Sequence, residues 1–379
     1  MANLIIVGDS IRNPEIRHEL PLAVPDPFVY VEGDGRRLAI LTSFEVGRAR
    51  ALGIDGLEVR ALEEYGADEM VSRGLQLEDI NREVSLIACR ELGLTEVVAP
   101  ATFPLEIADH LRAGGVQIRA DRDLFSLRRR VKNEHELAGI RRAQRACEAA
   151  MDVARDLLRR AEPNSGALHL DGEPLTCERV KAAIETVFSE HGVTAEESIV
   201  SHGPQTAVGH DMGSGAIGPN EPVLVDLFPR DRESGCHADM TRTFAVGTPP
   251  EELAQQQQLV KEALDRSVAE ARPGVHGTAV YRLVCDLFHE HGFPTQLSKQ
   301  PGEVLEDGFY HGLGHGIGVE VHEHPYLSRS GDELMAGDVI TIEPGLYRKG
   351  FGGCRLEDLV LVTDDGAEKL TSYPYDLAP

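Results

Sequence analysis

The chain has 379 residues, which exceeds the usual length of one compact core and predicts two domains. Its composition, 41% hydrophobic and 27% charged, is ordinary for a soluble globular protein. With 38 basic and 63 acidic residues, the formal net charge is −25, which argues against nucleic acid and anionic membranes as partners.

The N-terminal sequence MANLIIVGDS has a short apolar run without a basic flank, unlike a signal peptide. No stretch approaches the roughly 20 apolar residues of a membrane span. The six cysteines are scattered and form no CxxC pair, which favours reduced thiols. These features predict a cytoplasmic protein.

Residues 1–125 alternate short β-like runs with helical stretches, which predicts a small α/β domain. The β-like runs are FVYVEG, RLAILTS, LEVRAL, EVVAP and VQIRA, and the helical stretches include DINREVSLIACREL and PLEIADHLRAGG. None of the metal-ligating candidates found further along the chain lies in this region.

Residues 126–379 open with a predicted long helix, because Asn133 and Glu136 form a capping-box pattern ahead of apolar residues at helical spacing. Three more predicted helices follow, with β segments separated by Gly and Pro between and after them. This order predicts an α+β domain with a curved, largely antiparallel sheet. We expect the helices on its outer face and a metal site in its concave face.

Two aspartates lie in neighbouring β-like runs, VLVDLFP and HADMTRTF, which the polar loop RDRESG joins. Residues that face one another in a hairpin lie symmetrically about its turn, so Asp226 and Asp239 can converge on one face. Both lie among apolar or β-branched residues, where an unpaired carboxylate is costly. A cation is therefore expected between them.

The segment HGLGHGIGVEVHEHP combines histidines with alternating glycines. Each glycine would destabilise a helix by about 1 kcal/mol, so an extended chain is predicted, with His311 and His315 on one side and bare backbone on the other. His315 is the predicted metal ligand. His322 and His324 have the opposite phase if the strand is continuous, so they approach the site from another side or not at all.

Two glutamates, Glu343 in DVITIEPGLY and Glu357 in CRLEDLVLV, lie in apolar β-rich runs where a carboxylate needs a cation or a donor. Arg355 would share the strand face of Glu357 and could supply a salt bridge instead. Together with the aspartates, these carboxylates carry four negative charges, which two divalent cations would neutralise. One imidazole among oxygen ligands favours Mn, Co, Fe or Zn over Ca.

The ordered set VDLF, DMTRTF, HGLGHGIGVEVHE, ITIEPGLY and RLEDLVLV resembles the proline-specific metallopeptidases of the pita-bread superfamily, nearest to Xaa-Pro aminopeptidase and Xaa-Pro dipeptidase (prolidase). The motifs cover about 205–365. The resemblance implies a creatinase-like N-terminal α/β domain over 1–125 and a pita-bread catalytic domain over 126–379. It also implies a homodimeric enzyme that cleaves the bond between an N-terminal residue and proline in small peptides.

The resemblance assigns two divalent ions to the site, manganese foremost, with cobalt, zinc or iron as alternatives. Asp226 would chelate one ion, and His315 and Glu343 would bind the other. Asp239 and Glu357 would bridge both. A hydroxide shared by the two ions would be the nucleophile, because two Lewis acids lower the pKa of water.

The resemblance further assigns residues around the reacting bond. Glu343 would relay a proton, and His210 and His322 would be catalytic histidines on the substrate side, with His322 steadying the oxyanion. His311 would line the substrate pocket. Arg355 would lie beside the bridging glutamate as a second substrate-binding residue.

The chain departs from the family pattern between its two aspartates. The interval from Asp226 to Asp239 is about two residues longer than usual, and Leu-Phe-Pro follows Asp226 where a small residue is common. An even-numbered insertion keeps both aspartates on one face. Phe228 and Pro229 can reshape a pocket wall, which leaves the substrate preference open.

Other functions stay open on the sequence alone. A binuclear-metal amidohydrolase of the same fold could act on a small non-proline amide, and a catalytically inactive binding protein could share the fold. The sequence also does not separate an aminopeptidase from a dipeptidase. That choice depends on whether the pocket closes against a free carboxylate beyond the proline.

Overall fold

The computed structural model describes residues 2–379, and their backbone contacts divide them into two compact units. The first unit holds residues 2–129 together with Glu233–Gly235, and the second holds Arg130–Arg232 and Cys236–Pro379. All nine candidate site residues lie in the second unit. The assignment of 1–125 and 126–379 as a creatinase-like and a catalytic domain stays a prediction.

The first unit contains one six-stranded sheet. Its strands are β1 (Leu4–Gly8), β2 (Phe28–Gly33), β3 (Arg36–Leu41), β4 (Leu57–Ala61), β5 (Glu96–Ala99) and β6 (Gln117–Ala120). The strand order is β4-β3-β2-β1-β5-β6. Pairing is antiparallel for β1–β2 and β2–β3 and parallel elsewhere. Sequence analysis predicted every strand except β1, whose continuous apolar run suits a strand buried on both faces.

Six helices lie between and after these strands in the sequence. They are α1 (Pro14–Glu19), α2 (Ser43–Ala51), α3 (Ala67–Ser72), α4 (Leu77–Glu91), α5 (Leu105–Ala113) and α6 (Arg122–Arg130), with a 3-10 turn at Leu62–Tyr65. Apolar residues of α4 and α5, among them Val84 and Leu111, pack with strand residues such as Val31. This mixture of helix and sheet is the predicted α/β arrangement.

The second unit contains four long helices, α7 (Glu134–Arg160), α8 (Cys177–Glu190), α9 (Glu251–Glu270) and α10 (Gly277–Glu290). The predicted capping box at the start of α7 is confirmed. Asn133 Oδ1 accepts from the Glu136 amide and Glu136 Oε2 accepts from the Asn133 amide, both at 2.9 Å. Among residues 2–379, no helix combines the length and the apolar composition needed to cross a bilayer.

Five small sheets complete the second unit, and every strand pair in them is antiparallel. The strands are β7 (Glu162–Asn164), β8 (Ala167–Leu170), β9 (Glu173–Pro174), β10 (Val193–Thr194), β11 (Ile199–His202), β12 (Val223–Leu227), β13 (Arg230–Asp231), β14 (Met240–Phe244), β15 (Gly314–Gly316), β16 (Glu323–Leu327), β17 (Val339–Ile342), β18 (Gly345–Arg348), β19 (Gly352–Arg355), β20 (Asp358–Val362) and β21 (Ala367–Lys369). A second 3-10 turn covers Gly203–Ala207. The five-stranded sheet has the order β16-β15-β17-β20-β21, and the two three-stranded sheets have the orders β11-β12-β14 and β7-β8-β9.

Two apolar cores fix these sheets to the helices. Helices α7 and α8 pack with Val225 and Leu227 of β12, whereas α9 and α10 pack with Ile340 and Ile342 of β17. Successive residues of a strand point to opposite faces. The burial of Val225 and Leu227 in the core therefore directs Asp226, which lies between them, to the other face.

Candidate metal centre

A cavity of about 530 Å³ in the second unit collects every candidate site residue. Its lining includes His210, Asp226, Asp239, His311, His315, His322, Glu343, Arg355 and Glu357. Each of these residues comes from a different strand or loop. The structure therefore brings the whole predicted set together, while the individual roles stay predictions.

The aspartates come from the hairpin of β12 and β14, but they do not face each other directly. Asp226 pairs with Thr241, and Asp239 lies two residues before Thr241, so the two carboxylates are diagonal neighbours on one face. The connection contains β13 and a bridge between Arg230 and His237. The predicted convergence on one face holds, although the symmetric pairing does not.

The position of His315 depends on the glycines that flank it. A Cβ on Gly314 or Gly316 would overlap a backbone oxygen of a neighbouring strand, so glycine permits the close approach of β15. His315 Nδ1 lies 3.1 Å from the Gly316 carbonyl oxygen, which can only accept, and therefore carries the proton. The Nε2 atom is left to bind a cation. It lies 3.9 Å from Asp239 Oδ2 and 3.8 Å from Glu343 Oε1.

The carboxylates of the centre lie close together and are largely buried. Ligand atoms of Asp239, His315 and Glu357 all lie within 4.8 Å of one another, and Thr241 Oγ1 donates to Glu357 Oε2 at 2.8 Å. Burial, followed by the repulsion of neighbouring carboxylates, raises the pKa of Asp239 and Glu343 well above the ordinary range. The same causes raise the pKa of Glu357 to about 7. Such a cluster is stabilised by bound cations.

Two observations test whether these residues fit a divalent ion. Asp226 Oδ1 and Asp239 Oδ1 are buried and have no hydrogen-bond partner within residues 2–379, which is costly unless a cation binds them. In addition, burial and then the neighbouring His322 lower the pKa of His315 to about 3, so its imidazole is neutral, as a ligand must be. Oxygen ligands with one nitrogen suit Mn, Co, Fe or Zn.

Arg355 has a different partner from the one its place in the sequence suggests. Its Nη2 donates to Asp226 Oδ2 at 2.7 Å, and its Nη1 donates to the hydroxyl of Tyr347 at 3.1 Å. The alternative salt bridge from Arg355 to Glu357 does not form, because the guanidinium pairs with Asp226 and Tyr347 instead. Since Arg355 adds a positive charge, two divalent ions would leave the centre with one net positive charge.

Tyr347 joins Arg355 to His311 and was missed by sequence reasoning. His311 Nδ1 lies 2.6 Å from the Gly312 carbonyl oxygen, so its Nε2 accepts from the Tyr347 hydroxyl at 2.8 Å. Burial, and then the charge of Arg355, lowers the pKa of His311 to about 3. A buried tyrosine within a strand resembles any core residue in sequence, so no local signal marked it.

His210 and His322 occupy the exposed wall of the cavity. The ring of His322 lies edge-on to that of His315, with 4.2 Å between their centroids. His324 does not line the cavity, and its Nδ1 pairs with Asp332 Oδ2 at 3.0 Å. The chain turns back between Gly316 and Glu323 to pair β15 with β16, so it is not a continuous strand, and His322 lies in this turn.

The remaining wall is mostly apolar, and sequence reasoning noted only one of its residues. Ile199, Met212, Phe228, Tyr310 and Val321 line the cavity. Phe228 follows Asp226 in the unusual Leu-Phe-Pro stretch. The other four come from loops and strands far apart in sequence, so no local pattern could have grouped them.

Three comparisons with known proteins bear on this site. Residues 138–364 match Metallopeptidase family M24. The chain is 33% identical over 202 residues to an Xaa-Pro dipeptidase of Pyrococcus furiosus, covering 52% of this chain and 54% of that protein. It therefore matches only about half the length of that relative. It is also 30% identical over 337 residues to the probable dipeptidase PepE of Mycobacterium tuberculosis, covering 87% of this chain and 82% of that protein.

Among solved structures, the Xaa-Pro dipeptidase from Bacillus anthracis superposes with a TM-score of 0.78 at 23% identity, covering 99% of this chain and 94% of that one. This similarity shows a shared fold, and it confirms the predicted α+β pita-bread architecture. The family match includes every candidate site residue. The chain therefore belongs to metallopeptidase family M24.

Proposed function

We propose that the protein hydrolyses the bond between an N-terminal residue and proline in small peptides, with two bound divalent ions, manganese foremost. The observation that supports this most directly is the convergence of four carboxylates and one imidazole on a cavity whose open wall carries two further histidines. The ligands would be Asp226, Asp239, His315, Glu343 and Glu357. Divalent ions in this centre would supply Lewis acidity, which polarises a carbonyl oxygen and makes water more acidic.

Glu343 is suited to hold and release a proton. Its side chain is 21% exposed, whereas those of Asp239 and His315 are each 6% exposed. It therefore reaches furthest toward the space that substrate and water share. A carboxylate in this position can accept a proton from water and return it to the departing amine.

His210 and His322 are suited to bind the substrate from the opposite side. Both are exposed in the cavity wall, so each can donate a hydrogen bond to a carbonyl oxygen of the substrate. A donor that faces the scissile carbonyl binds more strongly as negative charge develops on its oxygen. We assign this role to His322, which lies against His315, and assign orientation of the peptide to His210.

The size and lining of the cavity support a small, partly apolar substrate. About 530 Å³ is within the range of small-molecule sites, and Ile199, Met212 and Phe228 offer apolar surface to a proline ring or an N-terminal side chain. The two relatives above are named as dipeptidases, which supports the dipeptidase form over an aminopeptidase. We also expect a cytoplasmic location and a homodimer. Light scattering of the purified protein would test the oligomeric state.

The test is turnover of matched peptides by the metal-free protein reloaded with Mn, Co or Zn. Gly-Pro and Gly-Pro-Ala should distinguish a dipeptidase from an aminopeptidase, and Gly-Ala reports on the need for proline. Asp239→Ala is the inactive control. Faster cleavage of Gly-Ala or of N-acyl amino acids would favour the amidohydrolase alternative. Peptide binding without metal uptake would favour a binding protein.

A further inference from the structure

A buried ion pair includes the residue that follows His322 in the chain and takes no part in the proposed chemistry. Lys132 Nζ pairs with Glu323 Oε1, and their side chains are only 2% and 3% exposed. Lys132 precedes the start of α7, and Glu323 is the first residue of β16. A buried ion pair is weak support for stability by itself, since desolvation offsets much of the attraction. Its position relative to the site therefore matters more.

Glu323 directly follows His322 in the chain. The Glu323 side chain is buried against Lys132, whereas the His322 ring is exposed in the cavity wall, so these two neighbouring side chains point in different directions. The backbone of Glu323 also pairs with Gly316, next to the bulge that follows His315. The ion pair thus fixes the backbone at the point from which the His322 ring projects.

The turn that leads to His322 also lies against this ion pair. A Cβ added to Gly318 would lie 2.8 Å from Glu323 Oε1 and 3.0 Å from Lys132 Nζ. The Gly318 amide donates to Glu320 O at 3.1 Å, and its carbonyl accepts from the His237 amide at 2.8 Å. The pair therefore touches this turn both before and after His322.

We propose that the Lys132–Glu323 ion pair is a positioning device for His322, which holds its ring 4.2 Å from that of His315 and directed at the substrate. This assignment rests on the proposed function. Lys132 and Glu323 contact neither substrate nor metal in this role. They act only through the backbone that carries His322.

The same stretch of chain offers a matched control. Arg130, two residues before Lys132, donates to Asp338 Oδ1 at 2.8 Å, and these side chains are 7% and 0% exposed. Arg130 also donates to the Glu333 carbonyl oxygen at 2.7 Å. This second buried pair holds the loop around 333–338 and does not contact the turn that carries His322. Loss of either cation should destabilise the fold, but only loss of Lys132 should displace His322.

The experiment compares Lys132→Met with Arg130→Met, each alone and combined with His322→Ala. Both single variants should lower the melting temperature. Lys132→Met should reduce kcat/KM for Gly-Pro by at least about tenfold, since small misplacement of a substrate-orienting group is costly, whereas Arg130→Met should stay within about threefold of wild type. In the His322→Ala background, Lys132→Met should cause almost no further loss. Glu323→Gln, which keeps a hydrogen bond to Lys132, should retain more activity than Lys132→Met.

A second readout does not depend on turnover. In zinc-loaded protein labelled with 15N-histidine, the His322 ring signal, assigned by its loss in His322→Ala, should shift in Lys132→Met and stay in place in Arg130→Met. If Lys132→Met does not fold, Lys132→Met/Glu323→Met removes both charges and tests the same shift. An unshifted His322 signal, or equal activity losses in the two cation variants, would overturn the proposal. Absence of Gly-Pro cleavage by wild type would instead refute the proposed function, and the ring signal would still test the positioning.

Discussion

Arg355 Nη2 lies 2.7 Å from Asp226 Oδ2, so one proposed metal ligand already has a buried guanidinium as a partner. The other Arg355 nitrogen, Nη1, contacts Tyr347, and Tyr347 contacts His311. The direction of these hydrogen bonds follows from the Gly312 carbonyl, which can only accept. Arg355 therefore pairs with the carboxylate cluster on one side. On the other side it is connected, through the neutral side chain of Tyr347, to His311 in the cavity lining.

Substitution of Arg355 by methionine should destabilise the metal-free protein by about 3 kcal/mol, because a buried carboxylate loses its partner. Added manganese should reduce this loss, since a bound cation would compensate Asp226. The measurement is urea unfolding with EDTA and with manganese. The control is Arg348→Met, which removes an arginine that is 53% exposed and pairs with Glu252 at the surface; its expected cost is below about 1 kcal/mol. Equal costs for the two variants would contradict the structural role of Arg355.

Sequence patterns predicted the site well wherever the signal was local. The glycines around His315 predicted an extended chain. In the structure, the missing Cβ atoms of Gly314 and Gly316 permit the close approach of β15 to Thr341 and His324. The capping box at Asn133 likewise needs only four consecutive residues. Such features depend on neighbours in the chain and can be read without the fold.

Tertiary placement accounts for what the sequence did not predict. The partner of Arg355 is Asp226, which lies 129 residues away in the sequence, so no local pattern marks this pair. Tyr347 also gave no signal, since its role depends on two residues from other segments. His322 reaches the cavity from the turn between β15 and β16, where the alternation of a continuous strand does not apply.

Glu357 should make the stability of the metal-free protein depend on pH. Its folded-state pKa is about 7, above the ordinary 4.5, so the folded protein holds this proton more tightly. The resulting stabilisation is complete below pH 4.5 and is lost as the pH rises through 7. Glu357→Gln removes this loss. Relative to wild type, the variant should therefore gain at least about 3 kcal/mol between pH 4.5 and about pH 8, since loss of the Glu357 charge also lowers the raised pKa values of Asp239 and Glu343.

The comparison with a variant is needed because the buried histidines act in the opposite direction. His311 and His315 have pKa values lowered to about 3, so wild-type stability also rises with pH as the unfolded histidines lose protons. Both proteins share this effect, and the difference between their urea-unfolding free energies cancels it. Saturating manganese should abolish the pH-dependent difference that Glu357 causes. A difference that does not change with pH would show that folding does not raise the pKa of Glu357.

Thr241 should affect metal affinity without touching the metal. Its hydroxyl donates to Glu357 Oε2 at 2.8 Å and is fully buried, so Thr241→Val keeps the shape and removes the donor. Loss of such a partner typically weakens metal binding by about 10- to 100-fold. Calorimetric titration of metal-free protein with manganese measures the change. Thr186→Val, which removes a hydroxyl bonded to its own helix at Ala182, should bind manganese like wild type.

Phe228 should influence which N-terminal residue the enzyme accepts. It lies two residues after Asp226 and lines the same cavity, so its ring faces the space next to the metal ligands. Phe228→Ala should lower the kcat/KM ratio of Leu-Pro to Gly-Pro by about tenfold, because a leucine side chain would lose apolar contact whereas glycine has none to lose. Phe44→Ala, a change at a residue 67% exposed in the first unit, is the matched control and should leave the ratio unchanged. If both ratios stay at the wild-type value, Phe228 forms a wall that the substrate does not touch, and the longer hairpin has no part in specificity.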